Sequence, residues 1–213
     1  IHYVRNERYI KALDAAFSAI AEIQRSRDLA PDFIDFQLAD GMYNYWRTVL
    51  AKRSKLIPDF GDHRSEGIEQ MIHVENAGTF LSAPATLSLA FTWIQERKMR
   101  KATQSLLRNK RHYPNNVINN LLLEETWTKL KQYKQALRVQ DEILRISPTN
   151  RQVLYDRGMT YTKMGEIEKA RSAFNAYLAS SYLEDSQRAS AYFRLGRLAA
   201  RERNWEQAKT HYQ

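Results

Sequence analysis

The chain has 213 residues with 33 basic and 24 acidic side chains, no cysteine, and only 7 glycines and 5 prolines. This composition excludes disulfides and thiolate metal sites, argues against disorder, and suits long polar helices. No run of about 18 or more apolar residues occurs, so no segment reads as a membrane-spanning helix. The chain opens on Ile1 rather than Met, so it reads as processed or trimmed. Any signal peptide would already be gone, which leaves a soluble cytoplasmic or periplasmic setting equally open.

In chain order, residues from about Asn6 to Ser26 read as an amphipathic helix, with Ile10, Leu13, Phe17 and Ile20 at three- and four-residue spacing. Asp28 to Asp32 breaks it around Pro31, and Asp32 is available as an N-cap. The next helix runs from Phe33 to about Ala51, and its mid-helix Gly41 suggests close approach by a neighbouring helix. Residues 52–62 form the longest irregular stretch, where Leu56, Ile57 and Phe60 are expected to fold back and be buried. A helix from His63 or Asp62 to about Asn76 buries Ile68, Met71, Ile72 and Val74. Gly78 stops that helix, and Ser82 can cap the next, which carries Pro84 in its first turn. Residues 85–95 are apolar almost all round, as in a helix covered on more than one side.

From there the pattern repeats. Helices are predicted over 99–112, 117–130, 133–146, 151–164 and 167–180. Residue 117 aligns with residue 151, 34 positions later, so that Trp127 falls on Tyr161, Ala136 on Ala170, Gln140 on Phe174 and Ile143 on Tyr177. One period earlier, Trp93, Ala102 and Leu106 stand in the same places. The turns Tyr113-Pro-Asn-Asn and Ser147-Pro-Thr-Asn are interchangeable. After Ser180 the period slips by four residues and resumes from about Ala189. A fixed period of this length signals stacked two-helix units. The expected organisation is residues 1–82, atypical loop-extended hairpins packed on an array, followed by repeats 83–116, 117–150, 151–184 and a partial 189–213.

The motif Tyr155-Asp-Arg-Gly158-Met-Thr-Tyr161, with Gly165, Ala170 and Phe174, resembles the tetratricopeptide repeat (TPR). So do Tyr192, Leu195, Gly196, Ala208 and Tyr212. The resemblance implies an all-α fold, a right-handed superhelical solenoid of antiparallel helix pairs, and a protein-binding scaffold without catalysis or cofactor. Repeat 117–150 departs from the pattern, with Glu124 at the small-residue place and Gln140 at the aromatic place. Residues 33–94 more loosely resemble inclusion-body-clearance and tetratricopeptide-repeat-39-type proteins and their bacterial relatives, where an elongated loop also splits a repeat-like hairpin.

In the family the first helix of each pair lines a concave groove. Carried onto this chain, that groove contains Leu121, Glu125 and Lys129, then Tyr155, Met159 and Lys163, then Phe193, Arg197 and Arg201. Leu121 and Tyr155 replace the lysine, and Glu125 and Met159 the asparagine, of the clamp by which some members grip a terminal carboxylate; chaperone tails are therefore not expected ligands. The expected partner is another protein or peptide segment, with acidic groups favoured by the cations. The competing expectation uses the charge distribution. Residues 83–116 carry a net +6, concentrated in Arg97, Lys98, Arg100, Lys101, Arg108, Lys110 and Arg111, a row that would attract nucleic acid or another polyanion. Self-stacking at the ends of the array is a third way for such a chain to associate.

No catalytic motif accompanies these features. Asp59-Phe-Gly61 lacks the glycine-rich loop and catalytic-loop partners of a kinase. Asp59, Asp62, His63, Glu66, Glu69 and His73 are potential metal ligands, but the two histidines are ten residues apart rather than on one helical face. Ion pairs such as Asp62 with Arg64 are expected instead, and no metal site is assigned.

Overall fold

The computed structural model describes residues 18, 22–23, 25–53, 58 and 61–212. It is all-α. The helices are α1 (Phe36–Arg53), α2 (Arg64–Ala77), α3 (Ser82–Gln95), α4 (Met99–His112), α5 (Val117–Lys129), α6 (Tyr133–Ile146), α7 (Arg151–Met164), α8 (Ile167–Leu178), α9 (Asp185–Arg201) and α10 (Trp205–Tyr212). By its contacts the chain divides into two compact units, residues 1–109 and 110–213, with the division falling inside α4. Most of the helix expected over residues 6–26, and the loop residues Leu56, Ile57, Asp59 and Phe60, lie outside the described residues.

In the first unit α1 packs on α2 and α2 on α3. The α1–α2 crossing depends on two facing glycines. A Cβ on Gly41 would stand 2.6 Å from the carbonyl oxygen of Gly67, and one on Gly67 would stand 2.5 Å from that of Gly41. Gly41 therefore serves the close approach expected of it, at a position that costs helix propensity. Next to the crossing, Tyr45 is fully buried and its hydroxyl donates to Glu96 Oε1 at 3.1 Å. Burial, with the Glu96 charge beside it, holds the phenol well above its usual range. Met71 and Val74 are core residues, but Ile72 is exposed, because it lies on the opposite side of α2 from them.

Two expected caps are corrected. Asp32 sits in a turn and the helix begins only at Phe36, where Asp35 has folded under and accepts from the backbone N–H of Phe80 at 2.8 Å. Ser82 is the first residue of α3, with Leu81 at the N-cap. Gly78 does close α2, its N–H donating to the Val74 carbonyl.

In the second unit each helix from α5 to α10 packs on the next in sequence, the nearest-neighbour connectivity of a repeat array. Ala136 and Ala170 are fully buried, as is Ala102 in the first unit. The 34-residue period is repeated in backbone detail. Asn116 and Asn150 cap α5 and α7, their side chains accepting from the N–H groups of Asn119 and Val153 at 3.0 and 3.2 Å. The first helix of each pair ends on a left-handed residue: Arg97, Lys131, Gly165 and Arg203, with φ of 59°, 59°, 79° and 60°. In each case the next N–H reaches back to the carbonyl five residues before it: Lys98 to Trp93, Gln132 to Trp127, Glu166 to Tyr161 and Asn204 to Ala199. That is the Schellman closure, here tolerated by three residues that have a side chain.

The last pair departs from expectation at its start. Helix α9 begins at Asp185, not near Ala189. The Gln187 side chain accepts from the N–H of Glu184 at 3.1 Å, so the four slipped residues form helix. Four residues are close to one turn of about 3.6, and the insertion lengthens the helix without rotating its buried face.

Candidate interaction surface

The candidate surface is built from the first helices of the pairs in the second unit. On α5, Leu121 and Glu125 are half-buried, and Lys129 is exposed but bound to Glu125 at 2.7 Å one turn away. This stretch of the surface neutralises itself.

On α7 the picture differs from a row of free contacts. Tyr155 packs edge-on against Phe174 and Tyr177, with ring centroids 5.5 and 5.2 Å apart. Its hydroxyl shares a hydrogen bond with Ser190 Oγ at 2.9 Å and accepts from Arg194 Nε at 3.2 Å. Met159 packs against the cluster of Ala170, Phe174, Leu195 and Leu198. Both residues hold α7 to α9 before they can hold anything else. Lys163, further along α7, is exposed.

The accessible chemistry lies on α9. Phe193 is 49% exposed, and the guanidinium carbons of Arg194 and Arg197 lie 6.0 and 5.9 Å from its ring centre. Arg201 reaches the carbonyl of Thr162 on α7 at 3.5 Å. Among the described residues, Lys163, Arg194, Arg197 and Arg201 have no carboxylate within ion-pair distance. Arg194 was not among the expected groove residues; it lies one position beyond Phe193, off the groove-facing positions of the repeat, so the period does not mark it. Beside this surface an open depression of about 460 Å³ is lined in part by Arg151, Gln152, Tyr155, Asp156, Tyr177 and Ser190. Burial raises the pKa of Asp156, while its hydrogen bond from Gln152 at 2.7 Å favours the charged form.

The basic row on α4 is partly consumed by local contacts. Lys98 and Lys101 lie over the buried Trp93 ring, with their ammonium groups 5.3 and 4.9 Å from its centre. Arg108 pairs with Glu75 at 3.1 Å, and Lys110 pairs with Glu142. Arg97, Arg100 and Arg111 remain exposed without an ion pair among the described residues.

Four of the potential metal ligands, Asp62, His63, Glu66 and His73, are paired with other groups. Arg64 and Lys52 both bind Asp62, each at 2.7 Å, and hold its carboxyl well below the usual carboxylate range. His63 contacts Glu66 at 2.8 Å, and His73 contacts Gln37 at 2.7 Å. No group of three candidate ligands converges among the described residues.

Residues 152–181 and 190–213 each match the tetratricopeptide repeat family. These helix pairs are tetratricopeptide repeats. No curated protein matches the chain in sequence. Among solved structures, the fold is similar to MamA residues 41 to the end from Desulfovibrio magneticus RS-1, with a TM-score of 0.63 and 16% identity over 81% of this chain and 92% of that one. A crystal structure of MamA gives 0.62 and 17% over 73% and 91%. At such identities the likeness concerns the fold. The tetratricopeptide repeats support a protein-interaction scaffold, of a family that is typically non-catalytic, and no helix among the described residues is long and apolar enough to cross a membrane.

Among the helix pairs of the second unit one position takes two chemistries. In repeat 151–184 the small residue is Gly158, where a Cβ would stand 2.6 Å from the Phe174 ring. The last repeat does the same with Gly196 and Tyr212, at 2.5 Å. In repeat 117–150 the equivalent pair is Glu124 and Gln140, and Gln140 Nε2 donates to Glu124 Oε1 at 2.8 Å. The two departures from the family pattern are therefore in direct contact with each other.

Proposed function

We propose that the second unit binds an acidic segment of another protein along α7 and α9. The observation that carries this reading is the set of cations around an exposed aromatic ring. Phe193 offers apolar contact area, while Lys163, Arg197 and Arg201 offer charge with no carboxylate within ion-pair distance among the described residues. Aromatic and arginine side chains are the usual energetic anchors of protein interfaces. Tyr155 and Met159 fix the spacing of the two helices, and Leu121, Glu125 and Lys129 form the less charged continuation on α5.

The test is an acidic peptide library probed with the full chain and with Phe193→Ala plus Arg197→Glu. Loss of at least tenfold in affinity is expected, with the loss shrinking at high salt. Hits unaffected by that pair, and also by Tyr155→Ala plus Arg197→Glu, reject the reading. The competing reading, a polyanion on the 97–111 row, retains Arg97, Arg100 and Arg111 as free cations. It requires RNA or DNA to be retained at low salt and released steeply as salt rises.

A further inference from the structure

Glu124 lies 5% exposed and Gln140 is fully buried, at the centre of the α5–α6–α7 packing. The Gln140 amide nitrogen donates to Glu124 Oε1 at 2.8 Å and to Thr160 Oγ1 at 3.3 Å, and Thr128 Oγ1 donates to Glu124 at 3.0 Å. The Gln140 carbonyl oxygen is buried and has no donor among the described residues. A buried acceptor left unsatisfied costs about 1–3 kcal/mol.

We propose that Glu124 and Gln140 form a proton-operated latch. Protonated Glu124 completes the acid–amide pair and closes α5, α6 and α7 together; ionised Glu124 leaves the Gln140 oxygen orphaned and loosens them. No covalent step is involved, and the proton comes from and returns to solvent.

The surrounding charges agree with this arrangement. Asp156 faces Glu124 from α7, and Glu125 adds a second negative charge from α5 itself, although Lys129 binds it at 2.7 Å. From α6, Asp141 is taken up by Arg157 of α7 at 2.7 Å, and Glu142 by Lys110. Lys163 bears on Asp156. No cation pairs with Glu124 among the described residues. Burial first, and then the Asp156 charge, push the Glu124 carboxyl up from 4.5 to about 7. The folded state thus binds more protons than the unfolded one between these values, so the contribution is complete below about 4.5 and is lost as pH rises through about 7.

The test is chemical denaturation of the full chain at pH 5 and pH 8, comparing the natural protein with Glu124→Gln, whose amide can pair with Gln140 at any pH. The natural protein is expected to lose on the order of fiftyfold more of its folding equilibrium constant over this range than the variant does. Coinciding slopes overturn the proposal. If Glu124→Gln does not fold, the double variant Glu124→Gly plus Gln140→Phe rebuilds the glycine–aromatic pair of the next repeat and must also lose the slope. Independently, the assigned Glu124 carboxyl ¹³C resonance of the natural protein must titrate near neutrality. Titration in the ordinary glutamate range overturns the proposal whatever the variants do.

Discussion

Repeats 151–184 and 117–150 share a backbone period, an asparagine-capped first helix and a left-handed closing residue, yet they are filled differently at the point where their two helices cross. In the first, Phe174 is fully buried and its ring occupies the space left by Gly158. In the second, a fully buried glutamine reaches a nearly buried glutamate. The apolar pair, a glycine and a phenylalanine ring, contains no group that titrates. The polar version must satisfy each donor and acceptor, and one acceptor is left over. A repeat thus constrains the volume between its helices more tightly than the chemistry that fills it.

The comparison is most directly broken at Phe174. Phe174→Ala empties the space facing Gly158 and is expected to cost about 4 kcal/mol, read from the midpoint of urea unfolding at constant slope. Gly158→Val tests the other partner: with the ring already 2.6 Å from where a Cβ would stand, a loss of about 3 kcal/mol is expected. A cost below about 0.5 kcal/mol would mean that the helices part easily.

Gln140→Ala should cost about 2 kcal/mol, because Glu124 loses its amide donor. The smallest effect concerns what the repeats share. Lys131→Gly, at φ 59°, should gain about 1 kcal/mol, whereas Gly165→Ala, at φ 79°, should lose about as much. Equal and negligible shifts would show that the left-handed closure carries no strain.

The parts of this molecule that could be read in advance are those set by local rules. Helices over 133–146 and 151–164 have the expected ends; the first follows its apolar period, and the second adds an Asn150 cap and a left-handed stop at Gly165 beside that period. Helix α9 began early because its cap, Glu184 with Gln187, lies upstream of the apolar pattern that announced the helix. Tyr155 could be placed on the inner face of α7, but not its hydrogen bonds to Ser190 and Arg194, which lie 35 and 39 residues away. The basic row looked uniform because sequence shows charge without showing its neighbours. Trp93, Glu75 and Glu142 take up four of its cations only once the helices are packed.

The 34-residue spacing of alanines, aromatics and turn residues was enough by itself to determine a stack of two-helix units, since each unit repeats the same short-range preferences. Only the tertiary structure decided that Glu124 and Gln140 belong together, that Gly41 faces Gly67, and which cations remain free for a partner. These are pairings across helices, fixed by interatomic distances and by the exclusion of water, and a periodic pattern along one chain contains neither.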